Sequence, residues 1–283
     1  MSQSAPSPLI SPEELLSLRG SPDLVLVDAG TTANYRESHL HGAVHADLET
    51  DLAAIGEDAA QGGRHPLPSP SAFAAVLGRL GITPESLVVV YDDKQGSNAA
   101  ARFWWMLRAA GHRQVRVLDG GSQAALNAGF PADSTPTAPA GKPPYPFSEW
   151  TLPLADISMV DRATEDPAFL IIDVRDENRY KGKTEPIDLV AGHIPGAVNL
   201  PFAKNMDQAG RFLPADELKE TYTKAFGDRK SDQVIVHCGS GVTACHTLLA
   251  VAAAGLEIPR LYVGSWSEWS RTGRRIARED PDA

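Results

Sequence analysis

The sequence predicts an α/β protein of two tandem domains, each with a mostly parallel sheet covered by helices on both faces. Three observations predict it: the chain repeats itself in degenerate form, short apolar runs alternate with helical patterns, and a stretch rich in proline, serine, threonine and glycine separates the halves. The chain has 283 residues, 42% hydrophobic and 22% charged, which suits two domains of ordinary size.

The repeat is visible in two pairs of segments. LVLVDAGTTANYRESHLHGAVHADLE resembles FLIIDVRDENRY with AGHIPGAVNLPF, and Asp28 precedes Tyr35 by seven residues as Asp173 precedes Tyr180. Further along, LVVVYDDKQGSNAARFWWMLRAAGH resembles QVIVHCGSGVTACHTLLAVAAAGL. The sequence of each half therefore predicts the same order of elements: strand, polar turn, strand, amphipathic helix, strand, helix, glycine and strand.

The elements can be justified in that order. The first helix is predicted to follow Ser11 as N-cap, with Pro12 at the first helical position and Glu14 closing a capping box. Short apolar runs predict strands buried on both faces, and the helical patterns between them predict parallel pairing; the runs are 24–27, 87–90, 170–172 and 234–236. In such sheets, ligands bind at the carboxyl ends of the strands.

These patterns predict an N-terminal domain at 1–130, a linker at 131–150 and a C-terminal domain at 151–283. The net charge of −10 gives no electrostatic footprint for nucleic acid or an anionic membrane. No apolar run approaches the roughly 20 residues of a membrane span. Because the N-terminus also lacks the basic and apolar regions of a signal peptide, we expect a cytoplasmic protein.

Two cysteines, Cys238 and Cys245, lie seven residues apart. This number excludes a disulfide framework, and neither a CxxC pair nor closely spaced histidines predict a zinc site, so no metal or organic cofactor is expected. Cys238 follows a predicted strand and precedes a loop of small residues and a helix. Such a loop turns its N–H groups toward one point, where the helix dipole adds positive charge.

A cysteine at that point is predicted to be nucleophilic, because the thiolate is the reactive form and the loop stabilises it. The alternative is that Cys238 is only a small buried hydrophobe. The first half has Asp92 at the equivalent position, in a stretch two residues longer. A carboxylate cannot act as a sulfur nucleophile, so one active site is expected, in the second half.

The second half also carries nine extra residues around KGKTEPIDL, just after Arg179. A longer loop in the catalytic half alone predicts a binding role. A tolerated surface insertion is the alternative, because loops lengthen at little cost.

The segments DVRDENRYKG, AGHIPGAVNLPF, CGSGVTACH and GSWSEW together resemble the two-domain sulfurtransferases of the rhodanese family, over nearly the whole chain. The resemblance implies two tandem rhodanese-like domains, an inactive N-terminal one and a catalytic C-terminal one whose cysteine cycles through a persulfide. The CGSGVT loop resembles that of 3-mercaptopyruvate sulfurtransferases, whereas the loop of thiosulfate sulfurtransferases resembles the cationic sequence CRKGVT. An uncharged loop with a nearby arginine suits a monoanionic keto acid.

The resemblance also implies roles for individual residues. Cys238 is the implied nucleophile, and the implied anion cradle consists of Gly239, Ser240, Gly241, Val242 and Thr243. Arg179 matches the carboxylate-binding arginine of the family. His65 matches the first-domain histidine that reaches the active-site Ser240, and Glu49 falls where that histidine has its acidic partner. A second substrate-binding arginine, expected in the EPIDLV segment, is missing there.

The predicted reaction transfers sulfane sulfur from 3-mercaptopyruvate through a Cys238 persulfide to a thiol, thioredoxin or cyanide, with Ser240, His65 and Glu49 managing the protons. The alternative is a thiosulfate sulfurtransferase, with cations from Lys181 or Lys183. A phosphatase on the related fold would need an arginine six residues after Cys238, where this chain has alanine. A non-catalytic sulfur carrier is disfavoured because Cys238 and its glycine loop are both retained.

Overall fold

The computed structural model describes residues 7–278, so the outer ends of the two predicted domains, 1–6 and 279–283, lie outside the described residues. Within the described chain, no helix has both the length and the apolar character needed to cross a bilayer. The first half consists of β1 (Leu9–Ile10), α1 (Pro12–Ser17), β2 (Leu24–Asp28), α2 (Thr32–Glu37), β3 (His39–Leu40), β4 (Val44–His45), α3 (Pro70–Arg79), β5 (Leu87–Tyr91), α4 (Ala99–Ala109), β6 (Val115–Leu118), α5 (Gly121–Asn127) and β7 (Ala132–Asp133).

The second half repeats this alternation. It consists of β8 (Leu154–Ala155), α6 (Ile157–Ala163), β9 (Leu170–Asp173), α7 (Glu177–Lys181), β10 (Val198–Asn199), α8 (Ala215–Phe226), β11 (Val234–His237), α9 (Thr243–Ala253), β12 (Arg260–Tyr262) and α10 (Ser265–Trp269), with 3₁₀ turns at Phe202–Asn205 and Ser231–Gln233.

Each half contains one five-stranded sheet in which every pairing is parallel. The strand order is β1-β6-β5-β2-β4 in the first sheet and β8-β12-β11-β9-β10 in the second, read from the equivalent edge. The two orders are the same once equivalent strands are matched. The predicted α/β class with two parallel sheets is therefore confirmed, and the sequence repeat corresponds to a repeated topology.

The central strands are buried on both faces because successive side chains point to opposite sides of a sheet. In β5, Val88 and Val90 pack into the core between the halves, whereas Val89 packs into the core on the other face. In β11, Val236 and Ile235 divide in the same way. Helices α4 and α9 meet in the central core, which is continuous across the two halves.

The predicted linker at 131–150 packs closely on the first half. Strand β7 lies within it and pairs antiparallel with β3. The Tyr145 N–H donates to the Ala74 carbonyl on α3 at 3.0 Å, and the Trp150 ring lies 5.6 Å from the Phe73 ring. The linker thus covers an apolar face of the first half, and the domain limits themselves stay predictions.

A buried histidine on α9 predicts that stability depends on pH. His246 is fully buried, stacks on the Phe212 ring at 4.5 Å, and has a pKa lowered by burial from 6.5 to about 4. The unfolded chain therefore binds a proton between these values that the folded chain does not bind, so stability falls as the pH falls from 6.5 toward 4. We expect His246 alone to lower the unfolding free energy by about 2 kcal/mol at about pH 5 relative to neutral pH.

Urea unfolding at neutral pH and at about pH 5 measures this loss. The variant His246→Gln should lose less stability on acidification than the wild type, although it starts from a lower value. An equal loss in both proteins would assign the pH dependence to other groups.

Candidate active site

The nucleophile candidate lies where the central strand β11 ends. Cys238 directly follows His237 and is buried, and its backbone is fixed by the turn that begins α10. The Cys238 N–H donates to Ser265 Oγ at 3.2 Å, and the Cys238 carbonyl accepts from the Trp266 N–H at 3.0 Å. The Gly239 carbonyl accepts from the Ser267 N–H at 2.8 Å. The start of the loop that follows β11 is therefore hydrogen-bonded to the segment that follows β12.

The loop from Cys238 to α9 presents open backbone amides. Among the described residues, the N–H groups of 239–243 donate to no other protein group. Gly241 has φ +74°, and a Cβ atom there would collide with the Val263 carbonyl oxygen. A glycine is thus required for the loop to turn this tightly against β12. The result is a concave set of donors at a helix N-terminus, which favours an anion.

The first half shows what such a loop binds. Asp92 takes the place of Cys238, and its carboxylate fills its own loop: Oδ1 accepts from the N–H groups of Lys94 at 2.9 Å and Gly96 at 2.7 Å, and Oδ2 from those of Asn98 at 3.2 Å and Ala100 at 3.0 Å. Burial nevertheless raises the pKa of Asp92. The loop of this repeat therefore accommodates one carboxyl group on several amides.

Two arginines stand at the edge of the catalytic loop. A Cβ atom built on Gly239 would lie 3.4 Å from Arg64 Nη2 and 3.5 Å from Arg179 Nη2. Arg179 comes from α7, as the sequence predicts, whereas Arg64 comes from the first half and was not foreseen. The cation missing from the EPIDLV segment is thus matched in space by an arginine from the other domain.

The inserted loop holds these arginines with two buried carboxylates. Asp188 pairs with Arg64, with Arg179 at 3.4 Å and with Arg271 at 3.0 Å. Glu185 pairs with Arg179 at 2.7 Å and also with Arg175. Bidentate and networked pairs of this kind fix a guanidinium in one orientation.

Beneath them, Arg175 pairs with Asp173 at 2.6 Å. Burial opposes the charge of Asp173, but the Arg175 guanidinium outweighs it and holds the pKa of this carboxyl below its usual value. Among these groups, four guanidiniums face three carboxylates, so the cluster carries one uncompensated positive charge beside the thiol. An incoming carboxylate would balance it.

A polar bridge between the two halves completes the site. His65 Nδ1 lies 2.8 Å from Ser240 Oγ, the contact expected from the sequence. Burial lowers the pKa of His65 to about 4, and the charges of Arg64 and Arg102 act in the same direction. The imidazole is therefore neutral at neutral pH, where it can share a hydrogen bond with the Ser240 hydroxyl.

The Rhodanese-like domain model matches residues 11–128 and 157–272, which together make up most of the chain. The chain belongs to the rhodanese family. It is 38% identical to a probable 3-mercaptopyruvate sulfurtransferase of Pseudomonas aeruginosa over 94% of this chain and 96% of the relative. It is 36% identical to the thiosulfate sulfurtransferase of Mus musculus over 92% of this chain and 89% of the relative.

The fold of this chain also matches the crystal structure of the 3-mercaptopyruvate sulfotransferase SseA from Escherichia coli. The TM-score is 0.75 and the identity 28%, with 93% of this chain and all of the other covered. The predicted family and the predicted enzyme class, a sulfurtransferase, are confirmed. The roles of individual residues stay predictions.

One predicted contact of the rhodanese site is not formed. Among the described residues, no hydrogen bond or ion pair joins Glu49 to His65, which corrects the expected acidic partner. Glu49 is exposed in a turn where its N–H donates to Asp47 Oδ1 at 2.9 Å. Asp47 also accepts from the Thr50 N–H at 3.1 Å, so Glu49 lies in a local side-chain turn with its own side chain exposed.

Two further residues contact the cysteine loop from below, and local sequence patterns do not predict these contacts. Cys245 lies beneath the loop, where its thiol donates to the Gly241 carbonyl at 3.3 Å and burial raises its pKa to about 12. Arg102, on α4 of the first half, donates to the same carbonyl at 3.3 Å. No group of three or more potential metal-ligating side chains is assembled among residues 7–278.

Proposed function

We propose that this protein is a 3-mercaptopyruvate sulfurtransferase that passes sulfur through a persulfide on Cys238. The observation that carries the proposal is the pairing of two subsites at Gly239: an uncharged amide cradle around the cysteine, and a guanidinium pair from Arg64 and Arg179 at its edge. A donor with a carboxylate at one end and a thiol at the other matches both. The Pseudomonas aeruginosa relative, which carries this name, supports the same donor.

The proposed reaction begins when Arg64 and Arg179 bind the carboxylate and place the donor's sulfur against Cys238. The thiolate attacks that sulfur, forming an S–S bond. The electrons of the breaking C–S bond pass to the departing carbon and leave pyruvate as its enolate. The open amides of 239–243 stabilise the negative charge on sulfur.

The Ser240 hydroxyl, hydrogen-bonded to neutral His65, is proposed to supply a proton path to the enolate. An acceptor thiol or cyanide then attacks the outer sulfur of the persulfide, and the Cys238 thiolate returns. A thiol or thioredoxin as natural acceptor and a cytoplasmic location stay predictions from the sequence.

A thiosulfate sulfurtransferase is the second candidate, and one observation favours it. Arg64 gives the neutral loop a second cation, which could meet a dianion. The lysines that the sequence suggested for this purpose are a weaker explanation, because Lys181 pairs with Glu177 at 2.7 Å and the side-chain atoms nearest to Gly239 belong to arginines. The mouse relative named as a thiosulfate sulfurtransferase keeps this candidate open.

The two candidates are separated by kcat/KM for 3-mercaptopyruvate and for thiosulfate, with cyanide as the common acceptor. We expect 3-mercaptopyruvate to be preferred by at least about tenfold, because its carboxylate and thiol occupy both subsites. A preference for thiosulfate would replace the proposal with the second candidate.

The guanidinium pair predicts an effect on donor binding. Arg64→Gln should raise KM for 3-mercaptopyruvate by about tenfold with a smaller change in kcat, since it removes one charged contact with the carboxylate. Arg271→Gln is the matched control: Arg271 also pairs with Asp188, but its atoms are not among those nearest to Gly239. Equal effects of the two variants on KM would show that Arg64 acts only through Asp188.

A further inference from the structure

Arg102 is a buried charge that the proposed reaction does not use. It lies on α4 of the first half, its exposed fraction is 0%, and no carboxylate among the described residues pairs with it. Its guanidinium donates instead to the backbone carbonyls of His65 at 3.0 Å, Gly241 at 3.3 Å and Leu52 at 3.5 Å, while Nε finds no acceptor. Buried charges in proteins are ordinarily paired with an opposite charge, because burying an unpaired charge costs free energy. A buried guanidinium without a carboxylate partner therefore points to a role at this position.

The compensating negative charge must come from the groups around the catalytic loop. Burial lowers the pKa of Arg102, whereas the nearby Cys245 and Cys238 act in the opposite direction. Cys245 stays a neutral thiol because its own pKa is raised to about 12. The other charged or titratable groups about the loop are Arg64, Arg175, Arg179, Arg271, His65, His237, Tyr262, Asp173, Glu185, Asp188 and Glu268. Asp173, Glu185 and Asp188 pair with the other arginines, and Glu268 accepts instead from the Gly62 N–H at 2.9 Å and the Tyr262 hydroxyl at 2.8 Å. None of these acids contacts Arg102, which leaves sulfur on Cys238.

The contact with Gly241 has a geometric consequence. In a trans peptide the C=O of one residue and the N–H of the next point in opposite directions. The Gly241 carbonyl points inward to Arg102 and to the Cys245 thiol, so the Val242 N–H points outward, away from them. Arg102 thus fixes the direction of one amide of the cradle from below.

The repeat supplies an internal comparison. Arg102 and His246 occupy the same helix position, nine residues before Gly111 and Gly255 respectively. His246 Nδ1 lies 3.4 Å from the carbonyl of Gly96 in the Asp92 loop, so each helix places a polar side chain under the loop of the other half. The loop that already contains a carboxylate faces a neutral imidazole, and the loop that must stabilise an anionic sulfur faces a guanidinium.

We propose that Arg102 is a positioning residue for the cysteine loop, which orients the Gly241–Val242 peptide and supplies the buried positive charge that stabilises anionic sulfur on Cys238. This role rests on Cys238 being the nucleophile of the proposed function, but it does not depend on which donor is used. The catalytic half therefore obtains its electrostatic support from a helix of the half without a nucleophile.

The test is the pH profile of Cys238 alkylation by iodoacetamide, followed by mass spectrometry of the Cys238 peptide, in wild type, Arg102→Gln and Arg102→Lys. Arg102→Gln keeps hydrogen-bond donors but removes the charge, so we expect the profile to move to higher pH and the rate at neutral pH to fall about tenfold. Arg102→Lys should restore most of the rate. Neither result requires sulfur transfer, so a wrong donor assignment would leave the test intact.

Arg108→Gln is the matched control, because it removes one positive charge from the same helix at a half-buried position away from the loop. It should leave the alkylation profile of Cys238 unchanged. A wild-type profile in Arg102→Gln, or an equal shift in Arg108→Gln, would overturn the proposal. If Arg102→Gln does not fold, the folded Arg102→Lys variant decides: a wild-type profile supports the charge, and a tenfold loss overturns it.

Discussion

Replacing Cys238 with serine is expected to lower kcat for sulfur transfer by at least about ten-thousandfold, because a serine hydroxyl is not ionised at neutral pH and cannot hold a persulfide. The substitution is nearly isosteric in a buried position, so the fold should persist. Thiocyanate formation from cyanide measures turnover. Mass spectrometry after donor alone should show one added sulfur per chain in the wild type and none in Cys238→Ser.

Cys245→Ser is the control for this variant. Its hydroxyl can still donate to the Gly241 carbonyl, and the thiol it replaces is buried with a raised pKa, so turnover should change little. Turnover that survives in Cys238→Ser, or that disappears only in Cys245→Ser, would contradict the assignment of the nucleophile.

Gly241→Ala is expected to have the second largest effect. The residue has φ +74°, and the new methyl group would collide with the Val263 carbonyl, so the loop must move away from β12. We expect an unfolding free energy lower by about 3 kcal/mol and a kcat lower by at least about 100-fold, because the amides no longer converge. Urea unfolding and steady-state kinetics measure the two losses.

Gly255→Ala separates the collision from the backbone angle. Gly255 follows α9 with φ +71°, but nothing lies within 4 Å of an added Cβ atom. This variant should lose about 1 kcal/mol of stability and keep its kcat. If both variants behaved alike, the contact with Val263 would have no part in shaping the loop.

The fold and the cysteine loop could be predicted because their signals are local. Residues 234–236 show a buried strand by composition alone, and the glycines after Cys238 reveal a loop whose amides are open. The contact of His65 with Ser240 joins distant parts of the chain. It was predicted from the family resemblance and not from any periodic pattern in the sequence.

The parts that escaped prediction are the long-range ones. Arg64 and Arg102 act on a loop more than a hundred residues away, and no local pattern specifies such a contact. A signal did exist for Arg102, which is a charge inside the apolar run AAARFWWML. Glu49 was expected beside His65 from the family resemblance alone, and it lies instead in the exposed Asp47 turn.

The occupied Asp92 loop bears on how much of the chain is needed for function. In the first half, the Asp92 carboxylate occupies four amides of the loop, and the sheet keeps the same strand order as in the second half. The face that the first half presents to the cysteine loop includes His65, Arg64 and Arg102. Because residues of both halves surround the proposed nucleophile, we expect neither half to transfer sulfur on its own.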